Sequence, residues 1–150
     1  MLIVTKQISL SIGHRLLNYE GPCKNIHGHN IKLEFVFSPK LYGPNPKDGF
    51  VVDFGKIKKE LGEWADETFD HAMIINPYDK DLIDFLTDKS KCFIMPDEGS
   101  IGLSNPTMEN MVVLFYKKAL KFAERNHIKL HSIRLYESDT AWVDKINEID

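Results

Sequence analysis

The sequence predicts an α+β fold, because two alternating runs near its start, two amphipathic helical stretches and two further strand-like runs give the order ββααββ. Strands and helices in separate blocks favour an antiparallel four-stranded sheet with two helices on one face over a βαβ crossover arrangement. In residues 2–12, Leu2, Val4, Ile8, Leu10 and Ile12 share a parity, and in residues 30–38 Ile31, Leu33, Phe35 and Phe37 do. Each run therefore reads as a strand with one buried face. Asp53 is a good N-cap for a helix over 54–68, along which Phe54, Ile57, Leu61 and Trp64 recur at spacings of three and four. A second helix is predicted from near Thr107, just after Asn105-Pro106, to near Asn126, with Met108, Met111, Val112, Phe115, Ala119 and Phe122 as its buried stripe. Residues 128–137 and 140–146 read as two more strands, the first turning Ile133 and Leu135 inward. Residues 76–105 are the least regular stretch.

The 150 residues, 43% hydrophobic and 27% charged, fit one domain over 1–150 with one core. Nineteen Lys and Arg against 22 Asp and Glu give a net charge of −3, so no overall basic field exists to hold nucleic acid or an anionic membrane. No apolar run approaches a bilayer span, and the N-terminus lacks the basic head and long apolar stretch of a signal peptide. The expectation is a soluble, cytoplasmic chain. Two cysteines, Cys23 and Cys92, do not make a disulfide framework.

His27-Gly28-His29 places two imidazoles on one face of a strand, since side chains there repeat every second residue. His29 shares the parity of Ile31 and Leu33, and His14 that of Leu10 and Ile12. If the two strands pair, three neutral imidazoles converge at the sheet's edge, a donor set that suits an open zinc site with a fourth place for water or substrate. Cys23, in the turn Gly21-Pro22-Cys23-Lys24, lies four residues before His27 and is a candidate fourth ligand or base, with a structural role as the alternative. Asp70 beside His71 is positioned to fix an imidazole tautomer. Glu137 extends the apolar parity of Ile133 and Leu135, where a carboxylate needs a partner such as a ligand's N–H groups, unless the strand end has already turned into solvent. Thr107 and Glu109 are further substrate-contact candidates, although a plain helix start with an acidic first turn also explains them. His127, His131 and Cys92 carry no metal-like spacing and read as ordinary residues.

Cys23-Lys24-Asn25-Ile26-His27-Gly28-His29 resembles the C-x3-H-G-H motif of the 6-carboxytetrahydropterin synthases, a group within the 6-pyruvoyl-tetrahydropterin synthase superfamily. Val52-Asp53-Phe54, Phe69-Asp70-His71, Asn105-Pro106-Thr107-Met108-Glu109-Asn110 and Tyr136-Glu137-Ser138-Asp139-Thr140 are similar, in order, to that superfamily's other landmarks across essentially the whole chain. The resemblance implies a tunnelling fold, in which trimers of ββααββ subunits join their sheets into a barrel, usually pair into hexamers, and form active sites between subunits. It implies zinc on His14, His27 and His29, with Cys23 as the proton-abstracting thiol and Asp70 with His71 completing the catalytic group. Glu137 resembles the carboxylate that anchors the pterin ring. The implied reaction converts 7,8-dihydroneopterin triphosphate to 6-carboxy-5,6,7,8-tetrahydropterin, acetaldehyde and triphosphate, in queuosine biosynthesis. The sequence departs from the family's usual F-x-A-A-H entry with Leu10-Ser11-Ile12-Gly13-His14, carries Ile31 where an aromatic often stands, and has a longer 78–104 segment than the shortest members. Arg15 and Lys24 are possible triphosphate partners. The competing readings are a 6-pyruvoyl-tetrahydropterin synthase, which eliminates triphosphate without cutting the side chain, and a non-catalytic pterin- or metal-binding module. The short Cys23-to-His27 interval argues against the first, and the joint presence of Cys23, Asp70 and His71 against the second.

Overall fold

The structure, a computed structural model, describes residues 2–40 and 49–148. Strand β1 (Val4–His14) pairs antiparallel with β2 (His27–Pro39) along its whole length, from Val4 opposite Phe37 to His14 opposite His27. The chain then enters a continuous helical segment made of α1 (Phe54–Ile57), a π-helical stretch (Lys58–Gly62) and α2 (Glu63–Phe69). Asp53 caps it as predicted, its side chain accepting the Gly55 N–H at 2.7 Å. Its buried apolar side chains are Ile57, Leu61, Ala65 and Phe69, four apart each time, while Phe54 stays exposed beside the cap. Four residues overshoot an α-helical turn, and the wider π turn in the middle compensates, which keeps all four on one face.

The insert after this segment holds more structure than its sequence pattern suggests. It contains β3 (Ala72–Ile75), α3 (Lys80–Leu86), β4 (Cys92–Ile94) and α4 (Ile101–Ser104). Then α5 (Met108–Arg125) runs between a Thr107 N-cap and an Asn126 C-cap, with the whole predicted stripe buried. Strands β5 (Ile128–Ser138) and β6 (Ala141–Ile146) complete the chain.

The expected antiparallel four-stranded unit is present as β1-β2-β5-β6, within a six-stranded mixed sheet of order β4-β3-β1-β2-β5-β6. The two added strands run parallel to β1, with β3 meeting only Ile12 to His14 and β4 pairing with β3. Residues of one parity, Leu10, Ile12, Ile31, Leu33, Phe35, Phe37, Ile133 and Leu135, form the strand side of the core. Helices α2 and α5 cover that face, with Phe115 packed against Phe69 (ring centroids 4.9 Å) and Phe122 against Phe37 (5.4 Å). At the start of β1 the alternation weakens. Leu2 is exposed, and Val4 and Ile8 are half-buried against the margin of the core.

Candidate functional site

The antiparallel register sets His14 directly opposite His27, and His29 lies two residues along β2 on the same face. Their ring centroids lie 4.5, 4.9 and 5.1 Å apart, and the ligand atoms of all three fall within 4.8 Å of one another. Each ring nitrogen aimed into this cluster, the Nε2 of His14, His27 and His29, is buried without a hydrogen-bond partner. Two of the rings are held by the opposite nitrogen. His14 Nδ1 donates to the Pro106 carbonyl at 2.7 Å, and His27 Nδ1 donates to the Asn25 carbonyl at 2.7 Å. That donation leaves Nε2 with a free lone pair, the tautomer a metal requires. Burial, the largest influence on His14, pushes its pKa below the ordinary histidine value against the opposing Pro106 bond, and the neighbouring imidazoles push the same way. The neutral, ligating form is therefore favoured. An unpaired buried acceptor costs about 1–3 kcal/mol, and a cation that takes the His14 and His27 lone pairs relieves it, with His29 Nε2 placed to be the third ligand. The donor set fits a metal ion.

Glu137 stands beside this cluster, its Oε1 3.3 Å from His29 Nε2. It occupies a bulge in the β5-β6 pairing, between Tyr136 and Ser138, and its side chain is 35% exposed. The bulge explains why the carboxylate reaches a rim position and not the core that its parity suggests. Cys23 is half-buried in a 3-10 turn (Pro22–Lys24), and its carbonyl accepts the Leu16 N–H at 2.8 Å, which ties the turn to the segment just beyond His14. Its Sγ has no hydrogen-bond partner among the described residues. Thr107 spends its hydroxyl capping Asn110 N, and Glu109 is exposed in the first turn of α5.

Asp70 and His71 form a dyad, with His71 Nδ1 donating to Asp70 Oδ2 at 2.6 Å. Asp70 Oδ1 also accepts the Ser11 N–H, and that bond above all, with His71 adding to it, holds the carboxyl below its usual pKa. His71 adopts the left-handed region (φ 57°) at the junction of α2 and β3 and bonds through its N–H to the Ser11 carbonyl. This conformation is uncommon for a residue with a Cβ and marks a place where surrounding contacts hold the backbone. The dyad opens into a groove of about 430 Å³ whose lining includes Ser11, Gly13, Gly28, Asn30, His71 and Met73, and which also borders His29. Ser11, Gly13, Gly28 and Asn30 alternate with the core-facing residues, so the groove runs along the sheet face away from the helices. Among the described residues no hydrogen bond or ion pair joins His71 to Cys23 or to the three histidines. One chain thus brings together the three histidines and Glu137 and leaves the Asp70-His71 pair without a direct bond to them.

Sequence reasoning missed the polar supports of this site. Arg15 donates twice to buried Asp79, at 2.7 and 2.6 Å, and stays partly exposed, while Lys24 is exposed. Asn76 and Asn105 are both buried and hydrogen-bonded to each other at 2.7 Å. Asp79, which caps α3 through Leu82 N, was detectable as a capping residue, but nothing in the sequence points it to Arg15.

Comparison with known proteins gives the family and supports the fold. The family described as 6-pyruvoyl tetrahydropterin synthase matches residues 3–147. A 6-carboxy-5,6,7,8-tetrahydropterin synthase of Rickettsia bellii is 30% identical over 149 residues, spanning 96% of this chain and 99% of that protein. Among solved structures, an uncharacterized protein of Wolinella succinogenes superposes with a TM-score of 0.74 at 21% identity, covering 98% of both chains. The 6-pyruvoyl tetrahydropterin synthase of Caenorhabditis elegans superposes with a TM-score of 0.62 at 22% identity, covering 99% of this chain and 98% of that one. The chain belongs to the 6-pyruvoyl tetrahydropterin synthase family.

Proposed function

We propose that this chain is a cytoplasmic, single-domain zinc enzyme that converts 7,8-dihydroneopterin triphosphate, with uptake of water, to 6-carboxy-5,6,7,8-tetrahydropterin, acetaldehyde and triphosphate, serving queuosine biosynthesis. The observation that carries it is the cluster of three buried Nε2 atoms without a hydrogen-bond partner, with the Glu137 carboxylate 3.3 Å from that of His29. His14, His27 and His29 would hold the zinc, which when bound acts as a Lewis acid toward the substrate's side-chain oxygens. Glu137 accepts hydrogen bonds from the amino and ring N–H groups of the pterin, which orients the side chain toward the histidines. Cys23, as thiolate, removes a proton from the substrate side chain. Asp70 holds His71 with its Nδ1–H engaged, so that Nε2 is the atom that takes or returns a proton. Thr107 and Glu109, at the start of α5 beside Pro106, are assigned substrate contacts on the family resemblance of that segment.

The separation of Asp70-His71 from the histidine cluster supports a site completed by a second copy of the chain. On its β3 side β1 is paired only at Ile12 to His14, which leaves residues 4–11 of that edge without a strand partner among the described residues. The outer edge of β6 is likewise unpaired. Edges of this length call for protection, and the family resemblance implies that copies join them into a trimer, or a hexamer of two trimers. The choice of carboxy- over pyruvoyl-forming chemistry rests on the C-x3-H-G-H spacing and on the name carried by the 30% identical relative. The pyruvoyl-forming alternative draws support from the family description and the nematode structure's name.

Metal analysis tests the site directly. Purified protein should carry one zinc per chain, and a His27→Ala, His29→Ala double variant should carry none. Unchanged zinc content in that variant overturns the assignment.

A further inference from the structure

We infer that Asn105, acting through the Pro106 carbonyl and backed by Asn76, is a positioning residue that holds His14 in its metal-ligating orientation. The inference rests on the metal reading of the three histidines and concerns a residue outside that set. The Pro106 carbonyl is the one that fixes the His14 ring, at 2.7 Å from Nδ1. Its neighbours are occupied by the helix start. The Asn105 carbonyl accepts the Thr107 N–H at 2.8 Å and Asn110 Nδ2 at 2.9 Å, and the Thr107 carbonyl accepts the Met111 N–H at 2.9 Å. Pro106 therefore presents the free acceptor of the turn, and its ring restricts φ so that few orientations are open to it.

What locates that turn against β1 is the Asn105 side chain. Its Oδ1 accepts the Leu17 N–H at 2.9 Å and its Nδ2 donates to the Leu17 carbonyl at 3.0 Å, a two-point clamp on one backbone residue. Consecutive residues 105 and 106 thus grip residues 17 and 14 of a single stretch. Asn76 completes the arrangement from the insert. Its Nδ2 donates to Asn105 Oδ1 at 2.7 Å and to the Ile101 carbonyl at 2.9 Å, while its Oδ1 accepts the Tyr78 N–H at 3.0 Å. Both amides are buried, Asn76 to 1% exposure and Asn105 to 8%, so water does not replace a lost partner freely. Only an amide supplies a donor and an acceptor at this place. Aspartate keeps the acceptors and loses the donor to Leu17, and alanine loses all of them. Groups that orient a metal-ligating imidazole from behind commonly control affinity by about 10- to 100-fold.

The test uses full-length protein and two readouts. In metal-free protein with ¹⁵N-labelled histidine, the wild type should show His14 as the Nδ1–H tautomer, and Asn105→Ala should show mixed tautomers. In zinc competition with a chromophoric chelator, Asn105→Ala should raise the dissociation constant by about 10- to 100-fold. Asn105→Asp, and Asn76→Ala to a smaller degree, should shift both readouts in the same direction, which keeps the test decisive should the alanine variant misfold. Ser104→Ala is the control: Ser104 is adjacent, fully buried and bonded to Glu98 N at 3.0 Å, with no link to His14. It should lower the melting temperature and leave zinc affinity unchanged. An unaltered tautomer and affinity in the Asn105 variants overturns the inference, as does an equal loss of affinity in Ser104→Ala. A tautomer shift in a protein whose wild type takes up no zinc supports the positioning link and overturns the metal reading alone.

Discussion

The three histidines owe their convergence to side-chain parity, and parity is a property the sequence carries openly. His14 follows Leu10 and Ile12 at intervals of two, and His29 precedes Ile31 and Leu33 in the same way, so a paired β1-β2 hairpin had to bring them to one face. Glu137 followed the same rule only in part, because the bulge beside it depends on how β6 pairs, which periodicity does not encode. The backbone partners of the rings, Pro106 and Asn25, were hidden for a simpler reason: a carbonyl has no residue type. Cys23 is close in sequence to the ligands yet absent from the cluster of mutually close donor atoms, which contains His14, His27 and His29 alone. Cys23→Ala is therefore expected to keep a full zinc content while turnover falls by about two orders of magnitude or more, the usual worth of a proton-transfer group. Metal analysis and an activity assay on the same sample check this, and loss of zinc would make the thiol a ligand instead.

Long periodic elements were readable, and short ones were not. The four antiparallel strands and the helices after Asp53 and Thr107 each carry enough turns or alternations for a pattern to emerge. Strands β3 and β4, with four and three residues, and α3, with seven, are too brief for any period to register. They are instead held by tertiary bonds, above all the Arg15-Asp79 pair that fastens the start of α3 to the residue after His14. Asp79 is nearly inaccessible and its carboxyl is held below the usual range, first by the Arg15 hydrogen bonds. A depressed folded-state pKa contributes stability that is complete above the unfolded carboxylate value and is lost as pH falls through the folded one. Asp79→Asn should thus cost about 2–3 kcal/mol at neutral pH, with the deficit shrinking on acidification. Urea unfolding of both proteins between neutral and acid pH measures it, and a deficit constant across that range would contradict the assignment.

In the whole molecule, no hydrogen bond or ion pair among the described residues links the dyad to the histidine cluster, and the open edges of β1 and β6 offer a way to bring a second copy's dyad to it. If each site takes Cys23 from one subunit and His71 from another, Cys23→Ala and His71→Ala chains, each inactive alone, should recover part of the wild-type activity when co-expressed in mixed oligomers. Sedimentation should then report a trimer or hexamer, and an active monomer or a failure to complement would refute shared sites. The central claim concerns what leaves that site, since both carboxy- and pyruvoyl-forming reactions draw on a metal, a thiol and a histidine. The decisive measurement is product analysis after anaerobic incubation of zinc-loaded protein with 7,8-dihydroneopterin triphosphate, with chromatography of the pterin and trapping of the aldehyde. The account predicts 6-carboxy-5,6,7,8-tetrahydropterin with equimolar acetaldehyde, and accumulation of 6-pyruvoyltetrahydropterin without aldehyde would contradict it.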